Sequence, residues 1–148
     1  MRRLLASLWL LAACHADGPL GPLDVRAWAA AKARWQAAGV SHYRYESTMG
    51  CFCPSEVVVP ITVEYRSGVL VEARYADGRA VLPSYAASRP PIDTLFQHIL
   101  DQQGDYVERV EANYDPQYGY PRTLNVIAKS NIADGGYSRA ITRFEVLP

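Results

Sequence analysis

The sequence lacks the motifs that mark the common classes of enzyme. It has no Gly-x-Ser-x-Gly nucleophile elbow, no His-Glu-x-x-His metal motif and no glycine-rich phosphate loop. It also lacks a basic run: Arg2 and Arg3 account for two of the 15 basic residues, and the other 13 face 15 acidic residues, which gives a net charge of about −2. We therefore expect no enzymatic activity, no cofactor and no nucleic-acid partner.

Long apolar runs are lacking too, except at the start of the chain. Arg2 and Arg3 precede ten uncharged, mostly apolar residues that end at Ala13. A membrane-spanning helix needs about 20 apolar residues, so this run is typical of a secretory signal peptide instead. Its end, Leu11-Ala12-Ala13-Cys14, resembles the bacterial lipobox, although an ordinary signal peptide beside an incidental cysteine would look similar. We favour the lipobox and predict a signal peptide over residues 1–13, with lipid, including palmitate, on Cys14.

The residues that follow favour a tether. Residues 14–23 are rich in glycine and proline, a composition typical of a spacer between a lipid and a domain. In lipoproteins of two-membrane bacteria, an Asp directly after the lipidated cysteine resembles an inner-membrane retention signal, and this chain has His15 there. We therefore expect export, with the lipid anchor on the periplasmic face of the outer membrane if the host has one.

Cysteine is scarce as well. Lipid on Cys14 leaves Cys51 and Cys53, an even pair in an oxidising compartment. Because residues two apart on a strand share a face, we predict a Cys51–Cys53 disulfide, and three roles remain open for the pair. A structural disulfide is favoured, since thiol-redox proteins usually carry Cys-x-x-Cys at the start of a helix. Soft-metal binding with His42 is the third role, but His42 falls on the opposite strand face, so we predict no metal site.

The remaining pattern predicts one α+β domain over residues 24–148. Asp24 is a suitable N-cap for a first helix that stops at Gly39, and apolar spacing indicates a second helix over residues 92–103. The predicted order is α-β-β-β-α-β-β-β, an antiparallel sheet of about six strands with two helices on one face. The predicted strands are 40–49, 57–65, 69–75, 107–114, 122–129 and 137–146, with a loop over 79–91.

Two further features bear on function. Ten tyrosines predict half-buried strand positions and a sheet suited to contact with a partner. Asp115 and Asp134 could form a carboxylate pair for acid–base chemistry, but Asp before Pro or Gly is more often a turn former. We therefore assign no catalytic residue.

Several stretches together resemble one family. The Cys-Phe-Cys-Pro stretch at 51–54 and the Tyr-Asp-Pro…Gly-Tyr-Pro stretch at 114–121 are the most specific. With Trp35, Tyr43-Arg44-Tyr45, the segment 92–96 and Ala133-Asp134 ahead of Tyr137, they resemble a bacterial lipoprotein family classed as a domain of unknown function, DUF family 6174. The resemblance covers nearly the whole domain and implies no activity.

These observations together predict a non-catalytic, membrane-tethered domain of the cell envelope with a binding or structural role. Its partners would be the membrane, through the lipid anchor, and an envelope protein. The alternative is an envelope thiol-redox or soft-metal protein that uses Cys51 and Cys53.

Overall fold

The computed structural model describes residues 23–102 and 104–148. The predicted signal peptide, Cys14 and all of the tether except Leu23 lie outside the described residues. Four helices and six strands follow one another along these described residues. They are α1 (Val25–Ala38), β1 (His42–Gly50), α2 (Ser55–Val58), β2 (Ile61–Arg66), β3 (Val69–Tyr75), α3 (Pro83–Ala86), α4 (Ile92–Asp101), β4 (Val107–Tyr114), β5 (Pro121–Ala128) and β6 (Tyr137–Val146).

The six strands form one antiparallel sheet in the order β3-β2-β1-β6-β5-β4. The prediction of an α+β fold with a six-stranded antiparallel sheet is therefore confirmed. A tight turn at Ser67 and Gly68, both with positive φ, joins β2 to β3. The last strand, β6, lies between β1 and β5 and so joins the two halves of the sheet.

The predicted element order and the number of helices are wrong, because two short helices were missed. Residues 57 and 59 belong to α2 and its C-cap, since Val57 N–H donates to Pro54 O (2.9 Å) and the strand begins only after Pro60, which has no N–H for a ladder bond. In the predicted loop over 79–91, Pro83 starts α3, where its fixed φ suits the first helical turn.

Helix α1 has the predicted boundaries. The Asp24 carboxylate accepts from Arg26 N–H and Ala27 N–H, each at 3.0 Å, and Gly39 ends the helix with φ 60°. Its inner face buries Ala31 and Trp35.

Helix α4 carries the strongest amphipathic pattern, and the structure buries its apolar face. Ile92, Leu95, Phe96 and Ile99 are buried, whereas Leu100 is half-buried and the helix ends at Asp101, before the predicted boundary. These residues contribute to two core clusters, and the half-buried Trp28 packs against both.

The strand registers place two distinct ends on the sheet. Gly50 pairs with Ser138, Val126 with Tyr137, and Val107 with Ala128, so the last residues of β1 and β5 lie beside the first residues of β6 and β4. We call this the disulfide end, because Cys51 and Cys53 follow Gly50. The opposite end is the aromatic end, where Trp35, Tyr43, Tyr120 and Phe144 pack together.

The chain enters the domain at the disulfide end. Leu23, the first described residue, packs against the cluster that contains Val110 and Val126 and lines a hollow with Val107 at the start of β4. Within the described residues, none of the helices has the length and apolarity needed to cross a membrane.

Candidate functional site

Cys51 and Cys53 lie where the sequence predicts them to meet. Their sulfur atoms are at disulfide-bonding distance, with the Cα atoms 5.2 Å apart. The two residues occupy a bend that begins where β1 ends, rather than two positions of a continuing strand. The bend holds Phe52 outwards, and this residue is 87% exposed.

His42 lies far from the cysteines. It begins β1 and Cys51 follows the end of the same strand, and eight steps of about 3.3 Å separate the two strand ends by roughly 26 Å. The His42 ring contacts Glu64 (3.0 Å), which also accepts from Arg44 Nη2 (2.7 Å). These two hydrogen bonds hold the pKa of the Glu64 carboxyl below its usual value. A metal site that joins His42 to the two thiolates is therefore incompatible with this fold.

Asp115 and Asp134 occupy turns. The Asp115 carboxylate accepts from Gln117 N–H (2.9 Å) and Tyr118 N–H (2.7 Å), and Asp134 has a φ of 58°. The described residues contain no cluster of three or more His, Cys, Asp and Glu side chains arranged for a metal ion.

The tyrosines at the centre of the sheet are buried and not half-buried as the sequence predicts, because helices pack against this face. Tyr43, Tyr45 and Tyr65 are buried, and their hydroxyls bind one backbone segment. Tyr45 donates to Pro90 O (2.6 Å), Tyr65 donates to Arg89 O (2.6 Å), and Tyr43 accepts from Ile92 N–H (2.9 Å). The three tyrosines thus fix the chain just before α4, and with it the position of Arg89.

The outer face of the sheet carries a hollow of about 550 Å³ that is lined by charged side chains. Its charges are paired: Glu64 contacts Arg44 (2.7 Å), Glu72 contacts Arg74 (2.6 Å), and Glu46 lies 4.0 Å from Arg143. Because each carboxylate faces a guanidinium, the hollow offers no unbalanced charge to a ligand.

The inner face differs, because it buries two arginines near the disulfide end. Arg89 is 0% exposed and Arg139 is 8% exposed. Among residues 23–102 and 104–148, neither guanidinium lies within 4.0 Å of a carboxylate oxygen. Burial of a charge without an opposite charge is costly, so this pair is the least ordinary polar feature of the fold.

The two guanidinium groups are satisfied to different degrees. Arg89 Nη2 donates to Val57 O (2.7 Å) and Nη1 donates to Ser88 Oγ (2.6 Å), which fastens the α2 segment to the start of α4. Arg139 has one polar contact, from Nη2 to Met49 Sδ at 3.8 Å. Within the described part of the chain, four buried atoms lack a protein partner here: Arg139 Nε, Arg139 Nη1, Arg89 Nε and Ser47 Oγ.

Both arginines carry a positive charge at neutral pH, because a guanidinium stays protonated in proteins. Burial, followed by the charge of Arg139, lowers the pKa of Arg89 to about 10, and burial lowers the pKa of Arg139. The burial of Arg89 and Arg139 was not predicted from the sequence. The signal for Arg139 is its inward position on β6, two residues before the buried Ile141, whereas nothing in the sequence marks Arg89.

A second feature of the disulfide end is its exposed apolar side chains. Val25 begins α1 beside Leu23, Phe52 follows β1, Val59 precedes β2, Tyr106 precedes β4, and Ile132 lies between β5 and β6. All five are exposed. Exposed apolar side chains therefore lie at the end of the domain at which the chain enters, and others lie on β3 and at the end of β6, namely Val69, Leu70, Val71 and Val146.

Comparison with known proteins identifies a family and no individual relative. Neither the curated proteins nor the solved structures contain a significant match to the chain. The model of one family, described as a family of unknown function (DUF6174), matches residues 27–146, which include every strand of the sheet. The chain therefore belongs to the family of unknown function DUF6174.

Proposed function

We propose that the protein is an exported, lipid-anchored and non-catalytic domain of the cell envelope, whose disulfide end rests against the membrane that holds the anchor. The observation that carries this proposal is the group of exposed apolar side chains at the disulfide end, where the chain enters the domain. An apolar contact surface on the same side as the tether suits a domain that lies on a lipid surface.

The tether limits how far this end can stand from the lipid. A stretch of ten residues, the length from Cys14 to Leu23, spans at most about 35 Å when fully extended. Leu23 packs at the start of β4, and β1 lies three strands away, or about 14 Å across the sheet. Phe52 is therefore within reach of the same surface.

The disulfide has a simple role in this proposal. It closes a three-residue loop that keeps the Phe52 ring outside the core, so the ring loses little further conformational freedom on contact. An exposed phenylalanine suits the boundary between headgroups and acyl chains.

The lipid anchor is tested first. In an expressing bacterium, Cys14→Ser should leave an unprocessed precursor and remove labelling by radioactive palmitate. Undiminished labelling of the variant would contradict the anchor.

The orientation is tested with the lipidated chain in vesicles that contain brominated phospholipid, which quenches tryptophan at close range. We expect strong additional quenching in Phe52→Trp and none in Val69→Trp. Val69 is the matched control, because it is 67% exposed at the opposite end of the sheet. Equal quenching of the two variants would contradict this orientation.

A thiol-redox function is the second candidate, and the exposure of Cys53 favours it, because a reductant could reach the bond. Thiol titration of the mature protein with mass measurement separates the two candidates. Resistance to mild reductant supports the membrane-resting domain, and ready cycling supports the redox protein.

A further inference from the structure

We propose that Arg139, Arg89 and Ser47 form a binding site for an oxyanion of the phosphate type. The site goes beyond the membrane-resting function, since it lies on the inner face of the sheet and uses none of the exposed apolar residues. Its residues come from three elements: Ser47 from β1, Arg139 from β6, and Arg89 from the segment before α4.

The available donors fit an oxyanion. Two nitrogens of Arg139, one of Arg89 and the Ser47 hydroxyl are buried and lack a protein partner within the described residues. An oxyanion is a pure acceptor of hydrogen bonds, and guanidinium groups hold phosphate and carboxylate oxygens in two-point contacts. One bound group could therefore satisfy donors that the fold leaves unused.

The positive charges of Arg89 and Arg139 also favour an oxyanion as the ligand. Arg89 and Arg139 meet the same stretch of β1, because Arg89 Nη2 lies 3.5 Å from Ser47 O and Arg139 is paired with Met49 in the sheet. The charge of Arg139 also lowers the pKa of Arg89. On the outer face, by contrast, Arg44, Arg74 and Arg143 all face carboxylates. An anion between the buried guanidiniums would supply the negative charge that this part of the fold lacks.

An oxyanion would reach Arg139 by displacing the side chain of Met49. Its sulfur, a weak acceptor, contacts Arg139 Nη2 at 3.8 Å, and the Met49 side chain is flexible and half-buried. Displacement of Met49 would free the Nε–Nη2 edge of Arg139, which can hold two oxygens of one ligand. Met49 is the last residue but one of β1, so the path to solvent at the disulfide end is short.

The test uses the purified full chain in a phosphate-free maltoside detergent. We expect the midpoint of thermal unfolding to rise with phosphate concentration at constant ionic strength, because the ligand binds only the folded state. Arg139→Met should abolish the rise. Arg143→Met, on the same strand but with an exposed side chain, should keep it. Absence of a rise in the unchanged protein, or an equal rise in Arg139→Met, would overturn the proposal.

Ser47→Ala covers the case in which Arg139→Met does not fold, because it removes one buried oxygen and leaves both charges. We expect a several-fold weaker apparent affinity for phosphate, and an unchanged affinity would overturn the site.

The phosphate group could belong to a lipid headgroup or to a soluble ion. Inorganic phosphate is therefore compared with glycerophosphoglycerol, a phospholipid headgroup without its acyl chains. Protection at lower concentration by the headgroup assigns the site to lipid, and the reverse order assigns it to free phosphate. Protection by neither overturns the proposal. Because no bilayer is present, failure here leaves the membrane-resting orientation to its own test.

Discussion

The two ends of the inner sheet face bury different kinds of polar group: tyrosine hydroxyls at the aromatic end and arginine guanidiniums at the disulfide end. At the aromatic end, Trp35 packs edge-on against Tyr43 with ring centroids 5.4 Å apart, and Tyr120 stacks on Phe144 at 4.3 Å. The Tyr43 hydroxyl is fully buried there and accepts a backbone hydrogen bond. At the disulfide end, Arg139 and Ser47 are buried with polar atoms that have no partner among the residues that the structure describes. The first arrangement stabilises the fold, whereas the second costs stability.

This difference indicates where function resides. Proteins retain groups that cost stability mainly at sites that do something else. The disulfide end also presents the exposed Phe52 and receives the chain from the tether side. Binding chemistry is therefore expected at the disulfide end, and changes at the aromatic end should act on stability alone.

The largest effect should come from high pH, because the tyrosines are buried in their neutral form. Burial raises the pKa of Tyr43 and Tyr65 from 10.0 to about 12, and burial also raises the pKa of Tyr45. A folded-state pKa above the unfolded value gives stability that is complete below about pH 10 and declines as pH rises towards 12. We expect a loss of several kcal/mol over this window, because each tyrosine loses about 1.4 kcal/mol for every pH unit between its unfolded and folded pKa. Urea unfolding at pH 8 to 12 measures it, and a constant free energy of unfolding would contradict the assignment.

Trp35→Ala should give the largest loss from a single substitution. Trp35 is buried and packs against Tyr43 and Phe144. Removal of a large core ring costs about 3–5 kcal/mol, through lost burial and the cavity that remains. The free energy of unfolding in urea is the measurement, and phosphate protection of the variant is the control. We expect the protection to persist, and its loss would show that the two ends are not independent.

Tyr45→Phe should lower the free energy of unfolding by less than Trp35→Ala does. Set beside Tyr114→Phe, it compares a hydrogen-bonded hydroxyl with one that has no partner among the described residues. The Tyr45 hydroxyl donates to Pro90 O within the core, so its removal leaves a buried carbonyl unsatisfied, at about 1–2 kcal/mol. Tyr114 is the matched control, because its buried hydroxyl has no protein partner among the described residues. Tyr114→Phe should therefore leave the unfolding free energy unchanged or slightly higher. Equal losses in both variants would mean that the hydrogen bond to Pro90 contributes nothing.

Arg139→Met should act in the opposite direction when no oxyanion is added. Arg139 has no carboxylate partner in the described residues, so replacing it with an apolar side chain of similar length removes a buried charge and breaks no ion pair. We expect the protein to become about 1 kcal/mol more stable in phosphate-free buffer. A clear loss of stability would show that the guanidinium stabilises the fold as it stands.

Features that depend on neighbouring residues were predicted correctly from the sequence, whereas features that depend on distant residues were not. Asp24 and Gly39 mark the ends of α1 because a cap and a left-handed residue act within one turn, and the strand predicted over 107–114 has the bounds of β4. The strand predicted from residue 57 was wrong at its start. Val57, Val59 and Ile61 alternate as they would in a strand, but Pro54 and Pro60 confine a helical turn between them. Arg89 could not be found at all, since its burial depends on tyrosines that lie 24 and 44 residues earlier in the chain.

The smallest effect should come from removal of the disulfide, which separates the stability of the fold from the contact of Phe52 with lipid. Cross-links stabilise a protein in proportion to the chain entropy that they remove, and Cys51 and Cys53 are only two residues apart. Cys51→Ser with Cys53→Ser should therefore cost only about 0.5–1 kcal/mol, at the low end of the range for disulfides. If the bend serves to hold Phe52 outwards, the same double variant should reduce the quenching of Phe52→Trp by brominated lipid far more than it reduces stability. Urea unfolding and vesicle quenching of one preparation compare the two effects. Unchanged quenching, with a free energy of unfolding lowered as expected, would mean that the loop presents Phe52 without the disulfide and that the bond serves the fold alone.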